Sequence, residues 1–212
     1  MWRNFERSVD QEAAATIAFD GAFDDLVKEG ADRLLWRQGR LEAGDALARR
    51  SFGIALQYLA EKTGKFLPQD LHGRIEVMQW LFWQMGGLGP IAGQNHHFRQ
   101  HAPEKIPYAI ERYVNETHRL YGVLDRRLAD RDFVAGDYSI ADMASYPWVV
   151  PYERQGQKLD DFPNLKRWFE TIRARPAVVR AYELAKKINV QPTVSDESRS
   201  VLFGQTATTA AQ

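Results

Sequence analysis

Gln79 to Phe98 reads QWLFWQMGGLGPIAGQNHHF: large apolar side chains at Trp80, Leu81, Phe82 and Trp83, then Gly86, Gly87, Gly89 and Pro90, then Gln94, Asn95, His96 and His97. Adjacent apolar residues in the first third require a helix covered on more than one side, since an ordinary surface helix keeps its apolar residues in one stripe. Glycine costs about 1 kcal/mol against alanine in a helix and proline removes a backbone donor, so the middle third loosens or kinks the helix. The polar cluster arrives just after that break. It reads as the wall of a cleft, or as a buried helix whose kink has a structural purpose.

Working outward, helical patterns continue on both sides. Leu71 to Gln100 forms one long helix, introduced by an extended connector at Phe66-Leu67-Pro68. Upstream, Ser51 opens a helix carrying Ile54, Leu56, Tyr58 and Leu59 that stops at Thr63-Gly64, where glycine suits the helix end. Downstream, Tyr108 to Leu128 carries a one-sided stripe of Ile110, Tyr113, Val114, Leu120, Tyr121, Leu124 and Leu128. Ser139-Ile140-Ala141-Asp142 then has the form of a capping box, with Tyr138 and Met143 placed as its hydrophobic staple. Phe162-Pro163 introduces a further helix with Leu165, Trp168, Phe169 and Ile172, and Arg175-Pro176 separates it from a last one ending near Ile188. Strand patterns are almost absent, so the expected fold class is all-α.

The chain has 212 residues, enough for a substantial core, and its 28 basic and 28 acidic residues give a formal net charge of zero. That balance favours neither nucleic acid nor an anionic membrane as partner. No apolar run approaches the roughly 20 residues of a membrane span, and the first nine residues are charged where a signal peptide is apolar. The expected location is cytoplasmic. With no cysteine, the protein has no disulfide, thiolate metal site or cysteine nucleophile of its own. Any redox chemistry therefore needs a thiol that arrives on a ligand.

The order of these pieces resembles the glutathione transferase superfamily, whose helical carboxyl-terminal domain holds a buried Ser/Thr-x-x-Asp capping box, here Ser139 to Asp142 in GDYSIADMASYPW. More specific are YLAEKTGKFLP at Tyr58 to Pro68, the Gln79 to Phe98 stretch, IPYAIERYVNETHRLYGVLDRRL at Ile106 to Leu128 and RARPAVVRAYE at Arg173 to Glu183. Together with VLFGQTA at Val201 to Ala207 they resemble the bacterial Nu-class enzymes, glutathione-dependent disulfide-bond reductases related to the yeast prion-type homologues. The likeness runs from Gly53 to about Ala207. On this reading 51–64 is the last helix of a thioredoxin-like domain, 65–189 is the transferase carboxyl-terminal helical domain and 190–212 is a tail.

Residues 1–50 do not share the resemblance. They read as an atypical, helical segment standing where the family has a thioredoxin-like domain, whose roughly 77 residues exceed what precedes Gly64. The early turn with the catalytic hydroxyl or amide and the Ile-Pro step of a cis-proline are both missing. Family members carry Glu-Ser before the glycine matching Gly53; here those positions are Ser51 and Phe52, flanked by Arg49 and Arg50. The catalytic residue is therefore unassigned. Ser51 is the candidate for capping the helix and holding the glutathione carboxylate.

The resemblance also places Arg112, in IERY, near bound glutathione, although periodicity alone reads it as a solvated helix residue. It places Gln94, Asn95 and His96 on the electrophile or disulfide side of the cleft; their plainer role is helix capping and polar satisfaction at the kink. His97 and His101 are four apart but lack a third ligand and a zincin's acidic base, so no metal is expected. Trp80, Trp83, Tyr121, Tyr146 and Trp148 suit a core or dimer interface. Asp142 is structural, and its loss should cost about 1 kcal/mol or more.

The implied activity is disulfide reduction, or conjugation of glutathione to electrophiles, by a homodimer that takes glutathione as cosubstrate. The competing expectation is a truncated or rearranged relative, catalytically impaired, serving as a helical dimerisation or binding module.

Overall fold

The computed structural model describes residues 52–188, and these are helical with no strand among them. The all-α reading holds over this range. The expectations for 1–50, for Ser51 and for the tail with Val201 to Phe203 fall outside the described residues. Residues 52–174 lie in one compact unit and 175–188 in another.

In the first unit, α1 (Phe52–Thr63) buries Leu56, Leu59 and Ala60 at helical spacing. Gly64 ends it at φ 68°, and Lys65 N–H returns to the Ala60 carbonyl at 3.2 Å, closing the last turn. The connector that follows is not simply extended. Phe66 takes a left-handed φ of 64°, and its carbonyl accepts Ile140 N–H at 3.1 Å while its ring meets Tyr138 edge-on at 5.8 Å. Tyr138 is thereby held between Phe66 and Phe133, whose centroid lies 5.3 Å away.

Asp70 caps α2 (Leu71–Trp83) by accepting Gly73 N–H at 2.8 Å. The glycine segment then does not interrupt the helix. Gln84–Leu88 forms a π turn, α3 (Gly89–His96) continues, and His97–His101 forms a second π turn. A proline ring clashes with the carbonyl four residues back. The wider turn before Pro90, in which Gly89 N–H bonds to the Gln84 carbonyl, gives that ring room without ending the helix.

Gly89 is required there by proximity. A Cβ at this position would stand 2.7 Å from Gln84 Nε2 and 3.3 Å from both the Gln84 carbonyl oxygen and Trp148 Cε2. Gly89→Ala is therefore expected to cost about 1–3 kcal/mol through overpacking, despite alanine's better helix propensity. Urea unfolding checks this, and a variant more stable than the parent would contradict the crowding.

α4 (Pro107–Arg127) buries Thr117, Leu120, Tyr121 and Leu124. Phe98 and Tyr113 stack at 5.4 Å and 10°, closing the connection between the long helix and α4. At the centre is α5 (Ile140–Val149), in contact with α1, α2, α3 and α6 (Pro163–Arg173) and buried at every position except Trp148. α6 has no side-chain cap from its own segment. Asp125 of α4 supplies one, accepting Asn164 N–H at 2.8 Å and Leu165 N–H at 3.0 Å. In the second unit α7 (Pro176–Ile188) buries Ala177, Val178 and Ala181. No described helix is long and apolar enough to cross a membrane.

Candidate functional site

The predicted polar cluster is split by the helix that carries it. Gln94 is exposed, Asn95 is fully buried and His96 is half-buried. Asn95 Nδ2 donates to Thr117 Oγ1 and to the Gln155 carbonyl, both at 2.9 Å, so it joins α3 to α4 and to the turn after α5. That placement follows the polar-satisfaction reading, while Gln94 and His96 remain on the accessible side.

The turn at 151–157 is a polar hub that sequence reasoning missed. Tyr121 OH donates to Gln155 Oε1 at 2.8 Å, Gln155 Nε2 donates to the Trp148 carbonyl at 2.8 Å, and Gln157 Nε2 donates to the Val114 carbonyl at 3.0 Å. Burial raises the Tyr121 phenol well above its ordinary range, so it acts as a neutral donor. Gly156, at φ 72°, lets the Arg99 guanidinium lie 3.0 Å from where a Cβ would stand, and Arg99 Nε bonds the Arg154 carbonyl at 2.8 Å. The only hint in the sequence was the glycine between two glutamines.

The second π turn brings the rings of His96 and His101 to 5.2 Å, so these two, five apart, are neighbours. Partial burial, helped by His101 and Arg154, holds the His96 imidazole down at about 4. It is a neutral donor and acceptor at physiological pH. Among the described residues no three His, Asp or Glu side chains converge in a way that could hold a metal.

Arg112 stands in the second turn of α4, exposed, with a 3.7 Å ion pair to Glu116. Its fork of donors is open to an incoming carboxylate. No hydrogen bond or ion pair joins it to Gln94 or His96 among the described residues. The aromatics divide as well: Tyr121 and Tyr146 are buried, while Trp80 and Trp83, 5.3 Å apart, and Trp148 are only half-buried.

The capping box is complete. Asp142, with no exposure, accepts Ser139 N–H at 3.0 Å, Ser139 Oγ–H at 3.1 Å, Val134 N–H at 3.0 Å and Trp168 Nε1–H at 2.8 Å. Burial pushes its carboxyl up to about 6 against the pull of those donors, so it is ionised at neutral pH. Arg127 anchors the same loop from outside: its Nε donates to the Val134 carbonyl at 2.7 Å, its guanidinium pairs with Glu76 and it lies 5.0 Å from the Trp80 ring centroid.

Residues 98–176 match the family model for the glutathione S-transferase carboxyl-terminal domain. The disulfide-bond oxidoreductase YfcG of Escherichia coli is 52% identical over 141 residues, 66% of each chain. A glutathione transferase from Pseudomonas putida, solved with one glutathione disulfide per subunit, is 42% identical with a TM-score of 0.60 over 63% of this chain and 61% of that one. The yeast prion protein Ure2p, solved with S-hexylglutathione, is 33% identical with a TM-score of 0.59 over 62% of this chain and 67% of its own. The chain belongs to the glutathione transferase superfamily.

The chain spans 66%, 47% and 55% of the first three curated relatives it matches. Within this superfamily member the described helices have two kinds of polar residue. Ser139, Asp142, Asn95, Thr117 and Gln155 are turned inward and hold helices in register. Gln94, His96 and Arg112 keep polar groups accessible on α3 and α4.

Proposed function

We propose that this glutathione transferase acts in glutathione-dependent disulfide reduction, with 65–189 as its helical domain. The 52% identity to a disulfide-bond oxidoreductase carries this reading. The absence of cysteine is consistent with it and constrains the chemistry. Both thiols must come from ligands: one glutathione thiolate attacks a disulfide sulfur and releases a thiol, and a second glutathione attacks the mixed disulfide. Two glutathiones are oxidised to their disulfide and the substrate is reduced to two thiols. Conjugation to an electrophilic carbon would use the same activated thiolate.

In this proposal Arg112 and Ser51 receive glutathione carboxylates, Ser51 also capping its helix, and Gln94 and neutral His96 line the disulfide side. Asn95 is a positioning residue behind them. The protein works as a cytoplasmic homodimer. The test is retention on immobilised glutathione, followed by reduction of a small disulfide coupled to glutathione reductase. Arg112→Ala is expected to raise the KM for glutathione about 10-fold, the loss of one exposed charge-assisted contact, with unchanged melting. Absence of both retention and turnover in the parent protein would sink the enzymatic reading.

A second reading, a helical binding module without glutathione chemistry, is favoured by one feature. Arg49 and Arg50 flank Ser51, where a carboxylate would be needed to meet the γ-glutamyl ammonium. A folded dimer with no affinity for glutathione would select it.

A further inference from the structure

Where the second π turn meets the turn at 151–157, the fold gathers cations and leaves them without a counter-ion. Arg99 is half-buried there, and Lys105 and Arg154 are exposed, at the end of the bundle that also holds the paired rings of His96 and His101. Among the described residues no carboxylate forms an ion pair with Arg99, Lys105 or Arg154, and Glu104 and Glu153, their neighbours in the chain, are no exception. Elsewhere in this unit Arg119 sits against Glu116, Arg127 against Glu76 and Arg167 against Asp132. An arginine withdrawn from water is ordinarily paired, so a half-buried one left open is a seat for an anion that arrives from outside.

The Arg99 fork is fixed in place. Its Nε donates to the Arg154 carbonyl at 2.8 Å, and Gln100 Nε2 donates to the same oxygen at 3.0 Å. Its Nη1, Cζ and Nη2 lie 3.0, 3.1 and 3.4 Å from where a Cβ of Gly156 would stand, so the guanidinium occupies a cradle that any other residue at 156 would fill. Nη1 and Nη2 make no hydrogen bond among the described residues, which leaves their donors open to a carboxylate. Lys105 Nζ, bonded to the Arg99 carbonyl at 2.6 Å, adds a second positive charge close by. His96 stands within the same field: burial first, then the charges of His101 and Arg154, disfavour its protonated form. It offers a neutral N–H donor beside the cations.

We propose that Arg99, Lys105 and Arg154 receive a carboxylate of the disulfide substrate, on the half that is not glutathione, so that the preferred substrates are acidic disulfides. The inference rests on the reading of Gln94 and His96 as the disulfide side of the cleft and names the charge of what binds there. A patch of one sign raises the local concentration of the opposite charge, and the open fork of Arg99 adds a direct charge-assisted contact. A cationic disulfide is turned away by the same charges, so one cluster supplies both the attraction and the rejection that selectivity needs.

The experiment compares anionic dithiodipropionate, neutral hydroxyethyl disulfide and cationic cystamine on the full chain, by glutathione-dependent turnover and, without glutathione, by titration calorimetry at low salt, with melting recorded for every variant. The parent is expected to show a KM and a Kd about 10-fold lower for dithiodipropionate than for hydroxyethyl disulfide, with cystamine weakest. In Arg99→Gln that ratio is expected to fall to about one, and in Arg154→Gln, whose exposed side chain can change without touching the hub's backbone bonds, by about 3-fold. A parent that handles the anionic and neutral disulfides alike, or a preference that survives in folded Arg99→Gln and Arg154→Gln, would overturn the proposal. Inorganic phosphate that binds with the same dependence on Arg99 while dithiodipropionate gains nothing over the neutral disulfide would assign the cluster to a free anion and equally overturn the substrate class. Turnover and calorimetry separate this inference from the proposed function: charge-selective binding that needs Arg99, in a protein that reduces no disulfide, would sink that function and leave the anion site standing.

Discussion

Asp142→Ala is expected to lower folding stability by about 3–5 kcal/mol, because three buried donors, Val134 N–H, Ser139 N–H and Trp168 Nε1–H, lose this acceptor at once. A local cap alone is worth about 1 kcal/mol. The larger figure comes from Trp168, 26 residues away and with no exposure, which ties α6 to the start of α5 through the same carboxylate. Chemical denaturation measures the difference. A loss below about 1 kcal/mol would mean that the carboxylate serves only the first turn of α5.

The same group gives stability a pH dependence of definite sign. An unfolded aspartate titrates near 4 and the folded one at about 6, so the folded protein binds the proton more readily. Stability from this source, on the order of 2–3 kcal/mol, is fully present below about pH 4 and is lost as pH rises through 6. His96 acts in the opposite direction. Its folded imidazole is held at about 4 against an unfolded value near 6.5. That contribution is present above about pH 6.5, is lost as pH falls toward 4, and is reduced by the solvent that reaches the ring. The two windows overlap and offset each other. His96→Gln should expose the Asp142 slope as a melting temperature that falls between pH 4 and 6.5, and a flat profile in that variant would contradict the assignment.

Helix positions were legible wherever chemistry and partner lay within one turn. The apolar stripe of α4, the glycine stop at Gly64 and the Ser139 to Asp142 box are short-range patterns, and the backbone follows them. The glycine-rich segment was legible as a disturbance but not as its kind. Glycines and a proline imply a kink, whereas a π turn keeps the helix running and shifts the side chains beyond it, so that His96 meets His101.

Hidden contacts are those that cross the fold. Asp125 caps a helix 39 residues away, Trp168 meets Asp142 and Arg127 reaches both Glu76 and the Val134 carbonyl. Periodicity marks Asp125 and Arg127 only as polar positions of α4, because their roles depend on which helix lies beside them. For the candidate site the sequence identified residue types well and their directions poorly. Gln94, Asn95 and His96 are consecutive, and 100° per residue is enough to put the middle one in the core.

Asn95→Ala is expected to cost about 2–3 kcal/mol and to reduce activity only through that loss. The substitution removes two buried hydrogen bonds, to Thr117 Oγ1 and to the Gln155 carbonyl. The carbonyl keeps a longer bond from Gln157 Nε2 at 3.2 Å, and Thr117 keeps its own donation to the Tyr113 carbonyl at 2.7 Å, so the hub loosens without collapsing. Because Gly93 lies 3.6 Å from Trp148 when extended by a Cβ, the helix has little freedom to slide and refill the space. The decisive comparison is with Gln94→Ala, one residue earlier and exposed. If the proposed division of labour holds, Gln94→Ala changes disulfide kinetics at unchanged melting, while Asn95→Ala lowers melting and leaves KM near the parent value at a temperature where both are folded. The reverse result, a stable Asn95→Ala variant with altered KM, would return Asn95 to the cleft and require α3 to turn when substrate binds.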